Sequence, residues 1–380
     1  MFIKQKIKII AAIAIASITL FSTSFVLNRQ MTGDEVRVKN FYQLKKDSID
    51  MMIIGASTSY TDFSAPLTWH EYGITSYSLA TNMAPMGLAK SMLIEAQKYQ
   101  KPKLYVIDIN GILYNDEYET KEGSLRLWID NMKFSKNKFN TIKELVPEDE
   151  RMSYYIPLLK YHSNWEKLYE CVKSTKQEID TWKDPVNLAI LGVEGRTRMA
   201  PMDNVFPVKN HKVIREMYKK SGEHLIDLLE YCKKEKLDNV IFTNMPRYYN
   251  NKIIKQRERL NMAKKVINDY GYKCYDLDDY VEEIGLDPKT DFYNPNHLNI
   301  YGQKKTTRFL MDMLLKEYDL KGNHSKDEIE RWDQEYETYC KVYNWVEWKI
   351  KHEQDQRYTF VDVKDVIDGK YDKEILENEK

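Results

Sequence analysis

The sequence predicts an α/β fold built on a central parallel sheet, and three observations lead to this prediction. Four short apolar runs have the length and composition of buried parallel strands: residues 51–54, 76–79, 104–109 and 240–243. Helical patterns separate these runs, with apolar residues largely on one side over 86–99 and 211–236. A fifth strand around 273–275 and a closing helix over 301–318 continue the alternation. Strands that alternate with helices favour a parallel sheet with helices on both faces.

The first thirty residues predict a membrane anchor. Three lysines between residues 4 and 8 precede an uncharged stretch over 9–27, which is about the length that crosses a bilayer core as a helix. A buried core helix is the alternative, but lysines before an apolar N-terminal run are typical of export. Small residues at 22–24 leave cleavage open, although retention as a signal anchor over 1–30 is favoured. The positive-inside rule then places residues from 28 onward outside the cytoplasm, so we expect a single-pass protein of the cell membrane.

The first strand runs directly into the small residues Gly55, Ala56, Ser57 and Thr58. In open α/β sheets the binding crevice lies beyond the carboxyl ends of the strands, so Ser57 is expected at the mouth of a crevice, with its backbone N–H available as a donor. The alternative is that Ser57 only caps the next helix, as serine commonly does.

After the third strand the rhythm of strands stops. Residues 113–207 are polar and rich in aromatic side chains, with helical stretches such as 163–181, and they predict an insertion over the carboxyl edge of the sheet. We therefore expect a main domain over 31–320. Residues 321–380 form a highly charged, aromatic tail that predicts a helix, which either packs on the domain or binds a partner.

A polar loop over 291–302 leads into the predicted closing helix and contains His297. A histidine at this place can reach back over the first strand and take the proton of Ser57, provided that an acceptor fixes the tautomer of its ring. The alternative is a histidine that caps or packs at the start of a helix.

Composition excludes some functions and leaves others open. Lys and Arg total 58, as do Asp and Glu, so no net charge attracts nucleic acid. The 28 tyrosines and 7 tryptophans fit stacking on sugars, although a large core also uses such residues. The four cysteines lie far apart without a C-x-x-C motif, and no other metal-binding constellation occurs, so neither a metal nor a cofactor is expected.

Several of these segments together resemble the SGNH/GDSL hydrolase superfamily, and especially its membrane-anchored branch that works beside membrane-bound O-acyltransferases, including DltD-like and alginate-acetylation-like proteins. Residues 55–58 stand where that branch has Gly-Ser-Ser-His, and 73–80 and 101–108 look like its second and third blocks. Further likeness lies in 130–138 and 161–165. The resemblance runs from about residue 50 to 315.

The resemblance implies a flavodoxin-like three-layer α/β/α sandwich with Ser57 as nucleophile and His297 as its base. The acid of the family lies three residues before the histidine, where this chain has Asn294. Asparagine can orient an imidazole but cannot give an imidazolium a full counter-charge. Asp291 is therefore a second candidate, and a serine–histidine dyad without an acid is a third possibility.

The resemblance also implies an oxyanion hole, for which the family uses a glycine of its second block and an asparagine of its third. The candidate donors here are the Ser57 N–H with Asn82 or Asn110. Thr58 replaces a histidine of the family. In the insertion, His162 is a candidate for binding substrate or for an ordinary structural role beside Trp165.

Three functions follow as hypotheses. The first is O-acyl transfer, with acetyl as the expected group, from a membrane-bound O-acyltransferase through Ser57 to a cell-surface polysaccharide. The second is an esterase with the same residues and water as the acceptor. The third is a non-catalytic scaffold that binds glycan or the membrane acyltransferase, and Asn294 is its main support.

Overall fold

The computed structural model describes residues 2–183, 199–352 and 369. Within them the helices are α1 Phe2–Leu27, α2 Gly33–Phe41, α3 Thr58–Thr61, α4 Ala65–Tyr72, α5 Met86–Tyr99, α6 Glu122–Ile129, α7 Lys136–Leu145, α8 Arg151–Tyr155, α9 Leu158–Tyr161, α10 Leu168–Lys183, α11 Lys219–Lys234, α12 Ile254–Asp269, α13 Ile300–Leu314 and α14 Lys326–Lys351. The strands are β1 Met51–Gly55, β2 Ser76–Ala80, β3 Leu104–Asp108, β4 Val240–Asn244, β5 Cys274–Asp276, β6 Phe292–Asn294 and β7 His297–Leu298.

Five strands form one parallel sheet in the order β2-β1-β3-β4-β5. At the centre, Ile54 of β1 lies between Leu79 of β2 and Ile107 of β3. Every residue of the first four strands is buried, as expected when both faces of a parallel sheet are covered. The predicted α/β fold with a parallel sheet is therefore confirmed, and all five predicted strands are present.

The helix predicted over 211–236 begins later than expected, at Lys219. Residues before it hydrogen-bond to the region of α12 instead of to one another. The N–H of Arg215 donates to the carbonyl of Glu258 at 3.0 Å, and the Asn261 amide donates to the carbonyls of His211 and Val213. These tertiary bonds satisfy backbone groups that a helix would otherwise use, so the helical pattern of the sequence is overridden there.

Two other boundaries differ from the prediction. The third strand ends at Asp108, because residues 109–113 turn into a 3-10 helix, and the Asp108 side chain caps this helix by accepting the N–H of Asn110. The closing helix ends at Leu314, where the predicted pattern continued to residue 318. Part of the predicted insertion, residues 184–198, lies outside the described residues, as does much of the predicted tail beyond residue 352.

The helix α1 precedes this domain and is long and apolar enough to cross a membrane, with a mean hydropathy of 2.2 over Lys4–Leu27. At the other end of the chain, α14 starts with a capping box between Ser325 and Glu328 and packs back on the domain against α4. Its Trp332 packs on Trp69, and Tyr336 stacks on His70 at 3.8 Å between ring centroids. The described part of the aromatic tail thus packs against the domain at α4.

Candidate active site

Ser57 lies where β1 turns into the short helix α3, at the carboxyl edge of the sheet. Glycine is needed at position 55, because a Cβ atom there would lie 2.8 Å from the Cβ of Asp108 on the neighbouring strand. The first strand can therefore approach β3 closely only with glycine at this position. The Ser57 side chain is almost completely enclosed, with 3% of the residue surface exposed.

Asp108, the last residue of β3, organises the turn around Ser57. Its carboxylate accepts hydrogen bonds from the hydroxyl groups of Thr58 and Ser59, and from the backbone N–H of Asn110 at 3.0 Å. Burial raises the pKa of Asp108, although these donors oppose the shift. Thr58, which stands where the resembled family has histidine, thus links the loop after β1 to the loop after β3.

The second half of the site is a small antiparallel hairpin of β6 and β7, in which Asn294 pairs with His297 across Pro295 and Asn296. The N–H of Leu298 donates to the carboxylate of Asp62 at 3.0 Å, which fixes the hairpin to the end of α3. Immediately afterwards Asn299 caps α13 by accepting the N–H groups of its first turn. These contacts bring the loop before α13 over the carboxyl end of β1.

Ser57, His297 and Asn294 form one line of hydrogen bonds. The Oγ of Ser57 lies 2.7 Å from Nε2 of His297, and Nδ1 of His297 lies 3.0 Å from Oδ1 of Asn294. The N–H of Asn296 donates to the same Oδ1 at 2.9 Å, so this atom of Asn294 must be the amide oxygen. An oxygen there accepts the proton of Nδ1, which leaves the lone pair of Nε2 facing the Ser57 hydroxyl. This is the tautomer in which a histidine can act as a base toward serine.

Asn110 follows β3 and is buried beside Arg247, which follows β4. A guanidinium nitrogen of Arg247 donates to the Oδ1 of Asn110. Because this oxygen is held by a cation, the NH₂ group of Asn110 is the end of the amide that remains for donation. Asn82, the other oxyanion candidate, is exposed and is held through its backbone N–H by Asp34 at 2.7 Å. Burial at the end of β3 therefore favours Asn110 over the exposed Asn82 as the side-chain donor.

No family model matches this chain, and neither does any curated protein.

Asp291 and His162 make their contacts elsewhere. The carboxylate of Asp291 is buried against Lys305, whose Nζ lies 2.7 Å away, and it also accepts the N–H of Asp287. The acceptor 3.0 Å from His297 is Asn294 rather than Asp291. His162 is exposed in the insertion, where its Nδ1 lies 3.2 Å from the carbonyl of Leu159. The roles predicted for the residues of this site, as nucleophile, base, acid, oxyanion donor or substrate ligand, remain predictions.

Three charged residues of the site were missed by the sequence analysis: Asp62, Asp108 and Arg247. All three are buried, and Arg247 contributes favourable electrostatic interactions to both carboxylates. Burial raises the pKa of Asp62 to about 7, against the hydrogen bonds from Thr61 and Leu298. A charged residue near the carboxyl end of an otherwise apolar predicted strand is the signal that points to Asp108, while Arg247 follows Pro246 with no motif around it.

Within the described residues, no group of histidine, cysteine, aspartate and glutamate side chains is arranged to hold a metal ion. The four cysteines are all free thiols in the structure, with Cys171 and Cys232 buried.

Proposed function

We propose that this protein transfers acyl groups through a Ser57 ester, in a domain that an N-terminal helix holds at the outer face of the cell membrane. The observation that carries the proposal is the line of hydrogen bonds from Ser57 through His297 to Asn294. A serine hydroxyl at 2.7 Å from an imidazole nitrogen of the correct tautomer is the arrangement that activates serine as a nucleophile.

The first half-reaction forms the acyl-enzyme. The Oγ of Ser57 attacks the carbonyl carbon of an acyl donor while Nε2 of His297 takes the hydroxyl proton. The resulting oxyanion is stabilised by the N–H of Ser57 and by the NH₂ group of Asn110, which Arg247 holds in orientation. When the tetrahedral intermediate collapses, the bond to the leaving group breaks, and His297 returns its proton to that group.

The second half-reaction repeats these steps with an acceptor hydroxyl. His297 takes the proton of the acceptor, whose oxygen attacks the Ser57 ester, and the proton then returns to the Ser57 oxygen as it leaves. A sugar hydroxyl as acceptor gives an O-acylated polysaccharide, with acetyl as the group that the resemblance implies. Water as acceptor gives a carbohydrate acetyl esterase, the alternative that uses the same residues.

The architecture supports this proposal in two ways. The strand order β2-β1-β3-β4-β5 is that of flavodoxin-like folds, in which ligands bind at the carboxyl edge where the order reverses. Ser57 and Asn110 follow the two strands, β1 and β3, on either side of that reversal. The apolar helix α1 supports anchoring in a membrane, where a membrane-bound O-acyltransferase would supply the acyl group and a cell-surface polysaccharide would receive it.

A fluorophosphonate probe tests the catalytic core directly, because it reacts with activated serine hydroxyls. We expect the purified full-length chain to be labelled, Ser57→Ala to be unlabelled and His297→Gln to be labelled far more slowly. Ser163→Ala, a change at an exposed serine of the insertion, should label as the wild type does. If the wild-type protein remains unlabelled while a known serine esterase reacts in the same buffer, the catalytic proposal fails and the non-catalytic scaffold remains.

A further inference from the structure

The junction between α1 and the domain is packed and not a loose linker. The surface of α1 is exposed from Lys4 to Thr23, partly buried over Ser24–Phe25–Val26 and buried at Leu27, where α9 and α10 contact the helix. The side-chain amide of Asn164 donates to the carbonyls of Leu27 and Arg29, at 2.9 Å each. The insertion is thus attached directly to the outer end of the apolar helix.

Buried ion pairs hold α10 in place at this junction. The guanidinium of Arg29 pairs with Glu35 at 3.2 Å and with Glu178 of α10, and its side chain is almost fully buried. Lys39 pairs with Glu35 at 2.6 Å and with Glu178 at 2.9 Å. Because buried charges tolerate the loss of a partner poorly, this cluster fixes α10 relative to α1 and α2.

The outer surface of this part of the insertion is apolar and exposed. The exposed fractions are 55% for Leu159, 66% for Trp165, 52% for Leu168, 78% for Tyr169 and 51% for Val172. On α10 the last three lie on one side by helical spacing, while Cys171 and Thr175 are buried. We call these five exposed residues the interfacial patch.

The composition of the patch suits a membrane surface. Tryptophan and tyrosine are enriched at the boundary between headgroups and acyl chains, where the ring is buried and the polar end stays hydrated. Lys167, Lys173 and Lys176 are exposed on or beside α10 and outnumber the exposed Glu166 and Glu170, which leaves a small net attraction to anionic headgroups. The exposed apolar side chains lie beside a helix that is apolar enough to span a membrane, and contact of both with the same bilayer explains why this surface is apolar.

We infer that the interfacial patch of the insertion lies in the outer headgroup region of the bilayer and serves as a second membrane contact beside α1. The apolar stretch of α1 ends at Leu27, and the hydrocarbon core of a bilayer is about 30 Å thick, which a helix of about 20 residues crosses. The elements that contact Leu27 are therefore at the level of the headgroups. With two contacts joined by the buried ion pairs, the domain has a fixed orientation above the membrane. The inference rests on the anchoring part of the proposed function and is independent of the catalytic part.

Depth-dependent fluorescence quenching tests this inference on the full-length chain. An environment-sensitive label is attached to Tyr169→Cys, and to Ile226→Cys on α11 as the matched control, since Ile226 is exposed on another part of the domain. The labelled wild type gives the background from native thiols. In pure vesicles that contain anionic lipid, we expect spin-labelled lipid to quench the label at residue 169 several-fold more than the label at 226, and an aqueous quencher to show the reverse order.

Two outcomes would overturn the inference. Equal quenching at the two positions would mean that the patch stays in water. Protection of residue 169 only in native membranes, and not in pure lipid vesicles, would assign the patch to a protein partner. Replacing Leu168 and Val172 together by glutamate should reduce lipid quenching at residue 169 at least several-fold, while Ser57→Ala should leave it unchanged. Lipid quenching at residue 169 without fluorophosphonate labelling of the protein would support this inference and contradict the catalytic proposal. Fluorophosphonate labelling without lipid quenching would support the catalytic proposal and contradict this inference.

Discussion

Replacing Asn294 by aspartate tests whether this residue holds the base of the reaction. The substitution keeps the shape of the side chain and the oxygen that accepts the N–H groups of His297 and Asn296. It adds a negative charge at 3.0 Å from Nδ1 of His297. During acyl transfer His297 becomes an imidazolium, so the charge stabilises the transition state more than the ground state, and the variant should react faster than the wild type.

The size of the gain follows from the hydrogen bond. A neutral hydrogen bond contributes about 0.5–1.5 kcal/mol, whereas one to a charged group contributes about 1.5–3 kcal/mol. His297 and Asn294 are half-buried, so solvent screens part of the added charge and the lower part of this difference applies. A gain of about 0.5–1 kcal/mol corresponds to a rate increase of roughly 2- to 5-fold. Asn294→Ala, which removes the acceptor, should slow the reaction by roughly 10- to 100-fold.

Hydrolysis of an aryl acetate by the full-length protein measures these rates. The new carboxylate also raises the pKa of His297, so the acidic limb of the pH profile should move to higher pH, and rates are compared on the alkaline plateau. Asp291→Asn is the matched control, because its carboxylate binds Lys305 and should affect stability rather than turnover. An Asn294→Asp variant with an unchanged plateau and an unmoved acidic limb would refute the role of Asn294. A loss of turnover in Asp291→Asn alone would assign the acid to that residue instead.

Three further predictions follow. Burial raises the pKa of Asp62 to about 7, from about 4 in an unfolded chain, so the free energy of unfolding falls as pH rises through this window. Asp62→Asn should therefore raise the free energy of unfolding at pH 8 by up to about 4 kcal/mol and change it far less near pH 4.5. Denaturant titrations measure both values, and an equal effect of the substitution at the two pH values would contradict this prediction. Arg247→Lys removes the planar guanidinium group that hydrogen-bonds to Asn110. The kcat for the aryl acetate should therefore fall by roughly 10- to 100-fold with little change in KM. An unchanged kcat would exclude Asn110 as an oxyanion donor held by Arg247. Protease added to intact protoplasts should digest the chain beyond residue 28, whereas survival of the full-length protein beside a cleaved surface marker would reverse the proposed topology.

The strands could be predicted from the sequence because their burial is complete. A parallel strand covered on both faces is buried at every position and therefore mostly apolar, so the runs Met51–Ile54 in β1 and Val240–Phe242 in β4 stand out without knowledge of their partners. The helix before β4 shows the limit of such patterns. Residues 211–218 have helical spacing but form no helix, because several of their backbone groups hydrogen-bond to the region of α12, which lies far along the chain.

The contact between Asn294 and His297 could be anticipated in part, because only Pro295 and Asn296 separate them and a hairpin places them side by side. The choice between Asn294 and Asp291 could not be made from the sequence. Both are near His297 along the chain, and only the direction of each side chain decides. Lys305, one turn into α13, binds the carboxylate of Asp291, and no local pattern indicates this pair.

Arg247 shows why the electrostatics of the site were out of reach of the sequence. A lone arginine after a proline has no motif, and its importance arises only when β3 and β4 become neighbours in the sheet. That pairing places its guanidinium against Asn110 and near the buried carboxylates of Asp62 and Asp108. One buried cation thus lowers the pKa of both acids against the effect of burial, interacts in the same way with Asp278, and also donates a hydrogen bond to Asn110.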